Sequence, residues 1–259
     1  MPAMGGKAEA SCGPGLARMW LERSLNRSIQ NRLTVKIEDL SFVNRRAWPS
    51  DRGEAARLLQ AQWDKKWSSS SRARWADRPA PVEVIEAVDS GWLPKTGRML
   101  DLGCGTAEIA AWFAERGYKS TGVDIAQAAV DRAAARHDYL SPSIEFIAVD
   151  LCTQTLPNRS FDILIDRGCL HQIPKNLVAD YVRNISAVAA PGAKMLLFMK
   201  AFREGRSLGD AEEVKLRTDW TRRTFAGHFD LERALPTYLN PDNPKDPLPG
   251  MVFWLSRTA

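Results

Sequence analysis

Cysteine and histidine are scarce in this 259-residue chain, which holds four of the first and three of the second. Cys12, Cys104, Cys152 and Cys169 share neither zinc-ligand spacing nor a disulfide framework, so a reducing, cytoplasmic setting without a metal is expected. No apolar run approaches the ~18 residues that a membrane span requires. Residues 1–15 lack the apolar centre of a secretory signal peptide, and residues 16–36, with Glu22, match a transit peptide poorly. Internal repeats are absent and low complexity is confined to residues 68–71. Acidic residues are thin only at the start. Residues 1–80 carry 15 Lys/Arg against 8 Asp/Glu, whereas residues 81–259 carry 21 against 23. The basic excess therefore precedes the main body. It either faces water as a solvated surface or attracts an anionic substrate or nucleic acid.

A chain that is 44% hydrophobic buries one substantial core. The expected organisation is a basic extension over residues 1–55, partly helical or flexible, followed by a catalytic domain over residues 56–259. Within the extension, residues 16–30 read as a helix and 35–43 as a short strand; residues 54–67 read as a further helix. From residue 82 onward helix and strand patterns alternate. Strands are expected at 98–102, 120–125, 144–149, 161–166 and 194–199, with helices at 82–88, 107–116, 126–136 and 175–189. Pro191-Gly192 is read as the stop of that last helix. Such alternation builds a parallel sheet covered on both faces. A helix at 218–225 is then followed by strands at 229–238 and 251–256 with no helix between them, the pattern of an antiparallel pair at a sheet edge. Four prolines stiffen the intervening loop, residues 240–250, which is placed as a cap over the site.

The most informative stretch is residues 98–105, where an apolar run ends in Asp101 and two glycines. Gly103 and Gly105 allow a tight turn and close approach of a ligand to backbone N–H groups, and a helix follows with its partly positive end aimed at the same place. Dinucleotide binding requires Gly or Ala at the sixth place of G-x-G-x-x-G, where this chain has Glu108. A carboxylate at Asp101 suits a ligand with a cationic amino-acid end instead. The second strand ends in Asp124, about 20 positions beyond the glycines, where a ribose diol needs an acceptor. Two further strands end in Asp150-Leu151 and Asp166-Arg167-Gly168, so polar residues gather along one edge of the sheet.

Asp101-Leu102-Gly103-Cys104-Gly105 resembles motif I of the class I S-adenosylmethionine-dependent methyltransferases. The resemblance implies an α/β, Rossmann-like doubly wound, mostly parallel seven-stranded sheet with an antiparallel last strand. It also implies S-adenosyl-L-methionine as cofactor. Asp101 with the Gly103 and Gly105 backbone would hold the amino-acid half, Asp124 the ribose, and Asp150 with Leu151 the adenine; Cys104, Ile125 and Asp166 are counted with them. The stretch 161–168, Phe-Asp-Ile-Leu-Ile-Asp-Arg-Gly, is similar to the thiopurine and small-thiol S-methyltransferases, as is the Trp63-x-x-x-Trp67 pair. At i and i+4 both indoles share a helix face, either covering the donor sulfonium or docking the helix on the core. The chain departs from that branch in keeping Asp-Leu-Gly-Cys-Gly-Thr at its glycine turn.

By that resemblance Arg167 faces the acceptor, where it stabilises a thiolate or orients a ring; otherwise it pairs with Asp166 or Asp162. His171 is placed either as a proton acceptor for a hydroxyl or amine, or as a packing residue before Pro174. His137 and His228 are read as surface residues without a role. The Asn/Asp-Pro-Pro-aromatic stretch of nucleobase amino-methylating enzymes is absent after the fourth strand, which disfavours nucleic acid as substrate. The expected acceptor is a small molecule, with thiol or heteroaromatic sulfur ahead of oxygen or nitrogen. The alternatives are a protein or RNA substrate held by the basic extension, and a non-catalytic cofactor-binding subunit.

Overall fold

The computed structural model describes residues 47–69, 78–156, 159–200, 207–240 and 248–258. The helix and strand expected within residues 16–43 lie outside them. Helix α1 spans Arg52–Ser68. Its N-cap Asp51 accepts from the Glu54 N–H at 2.7 Å, and Lys65 and Lys66 sit in its last turn, each end matching the helix dipole. The helix crosses the expected 55/56 boundary, and Ala55 is fully buried. Then follow α2 (Val82–Asp89), β1 (Arg98–Leu102), α3 (Glu108–Ala114), β2 (Lys119–Asp124), α4 (Gln127–Arg136) and β3 (Ile144–Ala148). The remainder is β4 (Phe161–Arg167), α5 (Val178–Val188), β5 (Ala189–Lys200), α6 (Ala211–Thr224), β6 (Phe229–Tyr238) and β7 (Pro249–Arg257).

The seven strands form one sheet in the order β3-β2-β1-β4-β5-β7-β6. β1 to β5 pair in parallel; β7 runs antiparallel between β5 and β6. This is the expected doubly wound sheet with a reversed last strand. Period-two alternation sends neighbouring side chains to opposite faces. Leu100, Leu164, Met195 and Leu197 join a core with Tyr181 and Ile185 of α5, while Met99, Ile163, Ile165 and Leu196 join a second core with Val84 of α2 and Phe113 of α3. Both faces being covered explains why the central strands are continuously apolar.

Three boundaries differ from expectation for identifiable reasons. Pro191-Gly192 does not separate α5 from β5. Strand pairing starts at Phe161↔Ala189 and resumes at Ile163↔Lys194, so the two residues form an exposed bulge within β5. A single 3₁₀ turn, Lys175–Leu177, precedes α5. α6 begins at Ala211 rather than residue 218, because its first turns are held by a cap from Asp210 to the Glu213 N–H and by a buried Glu213–Arg217 ion pair at 3.0 Å. Neither device registers as apolar periodicity.

Candidate active site

Strand order reverses between β1 and β4, and in open α/β sheets the crevice beyond the strand ends at that point is the binding site. A cavity of about 750 Å³ opens there. It is lined by Asp101, Gly103, Cys104, Gly105, Asp124, Ile125, Asp150, Leu151, Trp63, Trp67, Arg167 and His171, which unites twelve of the thirteen residues singled out from the sequence.

The glycine turn accounts for its own composition. Gly103 and Gly105 have φ of +69° and +55°, the left-handed region that favours glycine. A Cβ on Gly103 would lie 2.8 Å from the Cys169 Cβ, and one on Gly105 would lie 3.0 Å from the Trp67 ring. Ala107, also at positive φ (+61°), closes the turn by donating to the Cys104 carbonyl at 2.8 Å. Asp124 clamps the same turn to the end of β2: its carboxylate accepts from Gly105 N–H and Ala126 N–H, both at 3.0 Å. These bonds leave acceptor capacity on the carboxylate for a ligand. Burial raises Asp124 to about 6 against these hydrogen bonds. Asp101 is buried with one long bond, from the Ala110 N–H at 3.3 Å, and burial lifts it to about 7.

His137 was read as a surface residue; it is 4% exposed, and its Nε2 lies 2.9 Å from the Thr106 carbonyl. That carbonyl can only accept, so Nε2 carries the proton and the ring pins the turn from behind. The polar flanks of residue 137 conceal the burial in sequence.

Asp166 is the exception among the expected cofactor residues. It is fully buried behind the cavity wall, where its carboxylate accepts from Cys169 N–H (2.7 Å), Leu170 N–H (3.0 Å) and Tyr181 O–H (2.7 Å). It shapes the turn that carries Cys169 and His171 instead of reaching a ligand. Asp150 borders the cavity while capping its own turn, accepting from Cys152 N–H and the Thr153 hydroxyl, both at 2.9 Å. Trp67 is buried against Ala126, the N-cap of α4, and Ala129 within it, and Trp63 lies partly exposed with the Lys66 ammonium 4.1 Å from its ring centroid. Of the two expected roles, docking is met by Trp67, and both rings also wall the cavity.

Arg167, at the end of β4, forms no ion pair with either expected aspartate. It donates to the Pro79 carbonyl at 3.0 Å and the Leu239 carbonyl at 3.3 Å, the latter shared with Arg78 at 3.1 Å. Asp162 instead accepts from the Arg98 N–H at 2.8 Å. His171 accepts the Lys200 N–H at Nδ1 (3.4 Å), and burial, helped by Lys200, pulls it down to about 4. Arg78, Lys66, Tyr181 and Gln172 also reach the cavity, as do Leu239, Asn240 and Leu248. The last three flank the proline-rich loop; residues 241–247 of that loop lie outside the described ones. Signals for the others were missing because they come from four separate segments that only the fold assembles.

The sheet order and switch-point cavity define a Rossmann-like α/β protein that binds its ligand at the strand ends. Residues 99–192 match the methyltransferase-domain family. A 2-heptyl-1-hydroxyquinolin-4(1H)-one methyltransferase of Mycobacteroides abscessus is 33% identical over 157 residues, 59% of this chain and 63% of that protein. "Probable thiol methyltransferase 2" of Arabidopsis thaliana is 26% identical over 156 residues, 60% of this chain and 67% of that protein. The chain thus spans a little under two thirds of the first of these relatives. In fold it resembles the 1,6-didemethyltoxoflavin-N1-methyltransferase of Burkholderia thailandensis, solved with 1,6-didemethyltoxoflavin and S-adenosylhomocysteine (TM-score 0.64, 21% identity, 83% of this chain and 93% of that one). It also resembles the N-methyltransferase NodS of Bradyrhizobium japonicum, solved with S-adenosylhomocysteine (TM-score 0.54, 14% identity, 78% of this chain and 99% of that one). Residues 99–192 thus match a methyltransferase domain, and the sheet around them has the Rossmann-like fold of these solved methyltransferases. No helix among the described residues is long and apolar enough to cross a membrane.

Proposed function

We propose that this protein is an S-adenosylmethionine-dependent methyltransferase of a small, planar acceptor whose nucleophile is acidic enough to arrive ionised, a heteroaromatic thiol first. The observation that carries this reading is that one cavity holds carboxylates at its glycine turn, Asp101 and Asp124, together with guanidinium groups brought from other segments, Arg78 and Arg167.

The donor fits the carboxylates. Asp101 is buried and accepts one long hydrogen bond, from the Ala110 N–H, with Arg167 the cation that favours its ionised form; a ligand ammonium would complete its surroundings. Gly103 and Gly105 line the cavity with bare backbone, and a Cβ at either would collide with Cys169 or Trp67. Asp124 retains lone pairs for ribose hydroxyls, and Asp150 with Leu151, Cys104 and Ile125 borders the base. Trp63 and Trp67 supply aromatic faces and exclude water. When bound, the donor supplies a sulfonium methyl group open to in-line displacement. The chain's own contribution is alignment and dehydration of the nucleophile.

His171 is a weak base. Held near 4, it accepts a proton only from an acidic group, so a neutral alcohol or amine gains little from it, whereas a thiol is partly ionised near neutral pH without help. Arg167 and Arg78 supply positive potential for the anion, with their carbonyl contacts fixing the guanidinium planes. An acidic heteroaromatic hydroxyl is the second reading, favoured by the named substrate of the 33% identical relative. Cys104, Cys152 and Cys169 are free thiols, in keeping with a reducing, cytoplasmic setting.

Calorimetry with S-adenosylhomocysteine, followed by incubation of isotope-labelled donor with a panel of thiols, heteroaromatic hydroxyls and amines, tests the proposal. Binding with label transferred to the acidic members is expected. Absence of binding removes the cofactor assignment, and transfer to amines alone overturns the acceptor class.

A further inference from the structure

Helix α1 lays one face along the cavity: Leu59, Trp63, Lys66 and Trp67, at i, i+4, i+7 and i+8, all line it. Its N-terminal half is fastened to the core. Arg52 pairs with the buried Asp180, the Asn176 amide donates to the Pro49 and Ser50 carbonyls at 3.1 and 3.2 Å, and Ala55, Ala56 and Leu59 are buried. Its C-terminal end meets α4. There Trp67 packs on Ala126 and Ala129, while Arg132, exposed on α4, donates to the Ser69 carbonyl at 3.0 Å and holds its guanidinium 5.8 Å from the centroid of the Trp67 ring. We infer that Arg132 is a positioning residue for the donor: it latches the end of α1 to α4 and thereby seats Trp67 on the glycine turn. This rests on the methyltransferase reading above and adds to it a residue outside the cavity lining that governs how firmly the donor is held.

The chain of contacts from Arg132 to the donor is short. The Trp67 ring stands 3.0 Å from the place that a Cβ on Gly105 would take, and it packs against Ala126. Gly105 and Ala126 are the two residues whose N–H groups the Asp124 carboxylate accepts, both at 3.0 Å. The indole therefore lies across both ends of the clamp that presents Asp124, and a shift of the ring disturbs the turn and the wall beside it together. Arg132 grips the helix end by two means. One is the hydrogen bond to the Ser69 carbonyl at the C-cap, where a helix leaves acceptors without intrahelical partners. The Ser69 hydroxyl in turn donates to the Lys66 carbonyl at 2.9 Å, which ties the gripped residue to the last turn of α1. The other is the guanidinium over the indole, within the ~6 Å reach of a cation–π contact. A lysine in its place keeps the charge and a donor but loses the planar fork that stacks on a ring.

The test uses the full chain and S-adenosylhomocysteine, with affinity read by calorimetry, dissociation by stopped-flow competition, and amide exchange along α1 read by mass spectrometry without ligand. Arg132→Ala is expected to weaken binding about fivefold, chiefly through faster dissociation, and Arg132→Lys to recover part of that loss. Without ligand, Arg132→Ala should exchange about fivefold faster over residues 64–69 while residues 55–59 keep the parent rate. A side chain that only added stability would quicken both ends of α1 alike. Unchanged affinity in an Arg132→Ala protein whose far-ultraviolet dichroism matches the parent, or exchange that rises equally over both segments, overturns the inference. Failure of the parent protein to bind S-adenosylhomocysteine overturns the function reading, and the donor role of Arg132 with it, whereas the exchange measurement needs no ligand and still reads the grip on α1; the two failures are distinct.

Discussion

Donor affinity should depend on pH through Asp101 in a way that most carboxylate sites do not show. An ordinary aspartate is ionised throughout the neutral range, but burial lifts Asp101 to about 7 and Asp124 to about 6. A ligand ammonium beside Asp101 requires the ionised form. At pH 6 about nine-tenths of Asp101 is protonated, and at pH 8 about one-tenth. The requirement therefore weakens binding about tenfold on going from pH 8 to pH 6, and Asp124 adds about another factor of two, for a total near 2 kcal/mol. Stability without ligand runs the other way. A folded pKa above the unfolded value of 3.8 means that the native state holds more protons, so the stabilisation is complete below about pH 4 and is lost as pH rises to about 7. Asp101 alone accounts for a loss of about 4 kcal/mol over that window. Calorimetric titration of S-adenosylhomocysteine between pH 6 and 8, in buffers of different ionisation enthalpy, measures both the affinity and the protons released. Asp101→Asn should flatten the affinity to the twofold residue of Asp124 and raise the ligand-free stability at pH 8. Equal dissociation constants at pH 6 and pH 8 in the parent protein would refute the reasoning, as would an undiminished slope in the variant.

Asp124→Ala removes the acceptor of the Gly105 and Ala126 N–H groups as well as the ribose partner. S-adenosylhomocysteine should bind at least tenfold more weakly while far-ultraviolet dichroism is retained, and unchanged affinity contradicts the ribose assignment. His137→Ala removes the ring N–H donated to the Thr106 carbonyl, for which we expect a stability loss of about 1–3 kcal/mol and about fivefold weaker ligand binding, with His137→Gln recovering part of the affinity. Denaturant unfolding with ligand titration reads both, and an unaltered dissociation constant in the Ala variant would show that the turn holds itself. Gly103→Ala should destabilise the protein by about 2 kcal/mol or more, from the left-handed backbone and the contact with Cys169; adding Cys169→Gly should recover part of that loss in a double-mutant cycle.

Much of the framework was legible in local pattern. The strand at 98–102, the turn Gly103-Cys104-Gly105 and the acids Asp101 and Asp124 declare themselves because a strand, a left-handed turn and an acceptor each constrain residues within a few positions. β6 matched its expected span at both ends, since alternation and flanking turn residues bound it. Where the pattern failed, a polar device stood in for apolar periodicity: the Asp210 cap and the Glu213–Arg217 pair begin α6 unannounced, and Pro191-Gly192 makes a bulge where a break was expected.

Sequence by itself determined the sheet, its two covered faces and the donor-side turn, because these follow from short-range sterics and from the burial pattern of contiguous residues. Tertiary structure alone decided which carboxylates reach the cavity. Asp166 and Asp124 each end a strand and look alike in sequence, yet one is enclosed by the Tyr181 hydroxyl and two backbone amides while the other faces the cavity. It likewise decided the acceptor side, where Arg78, Arg167 and Leu239, 161 positions apart at their extremes, meet through one carbonyl oxygen. Contacts of that separation are set by how layers stack, and no local propensity records them.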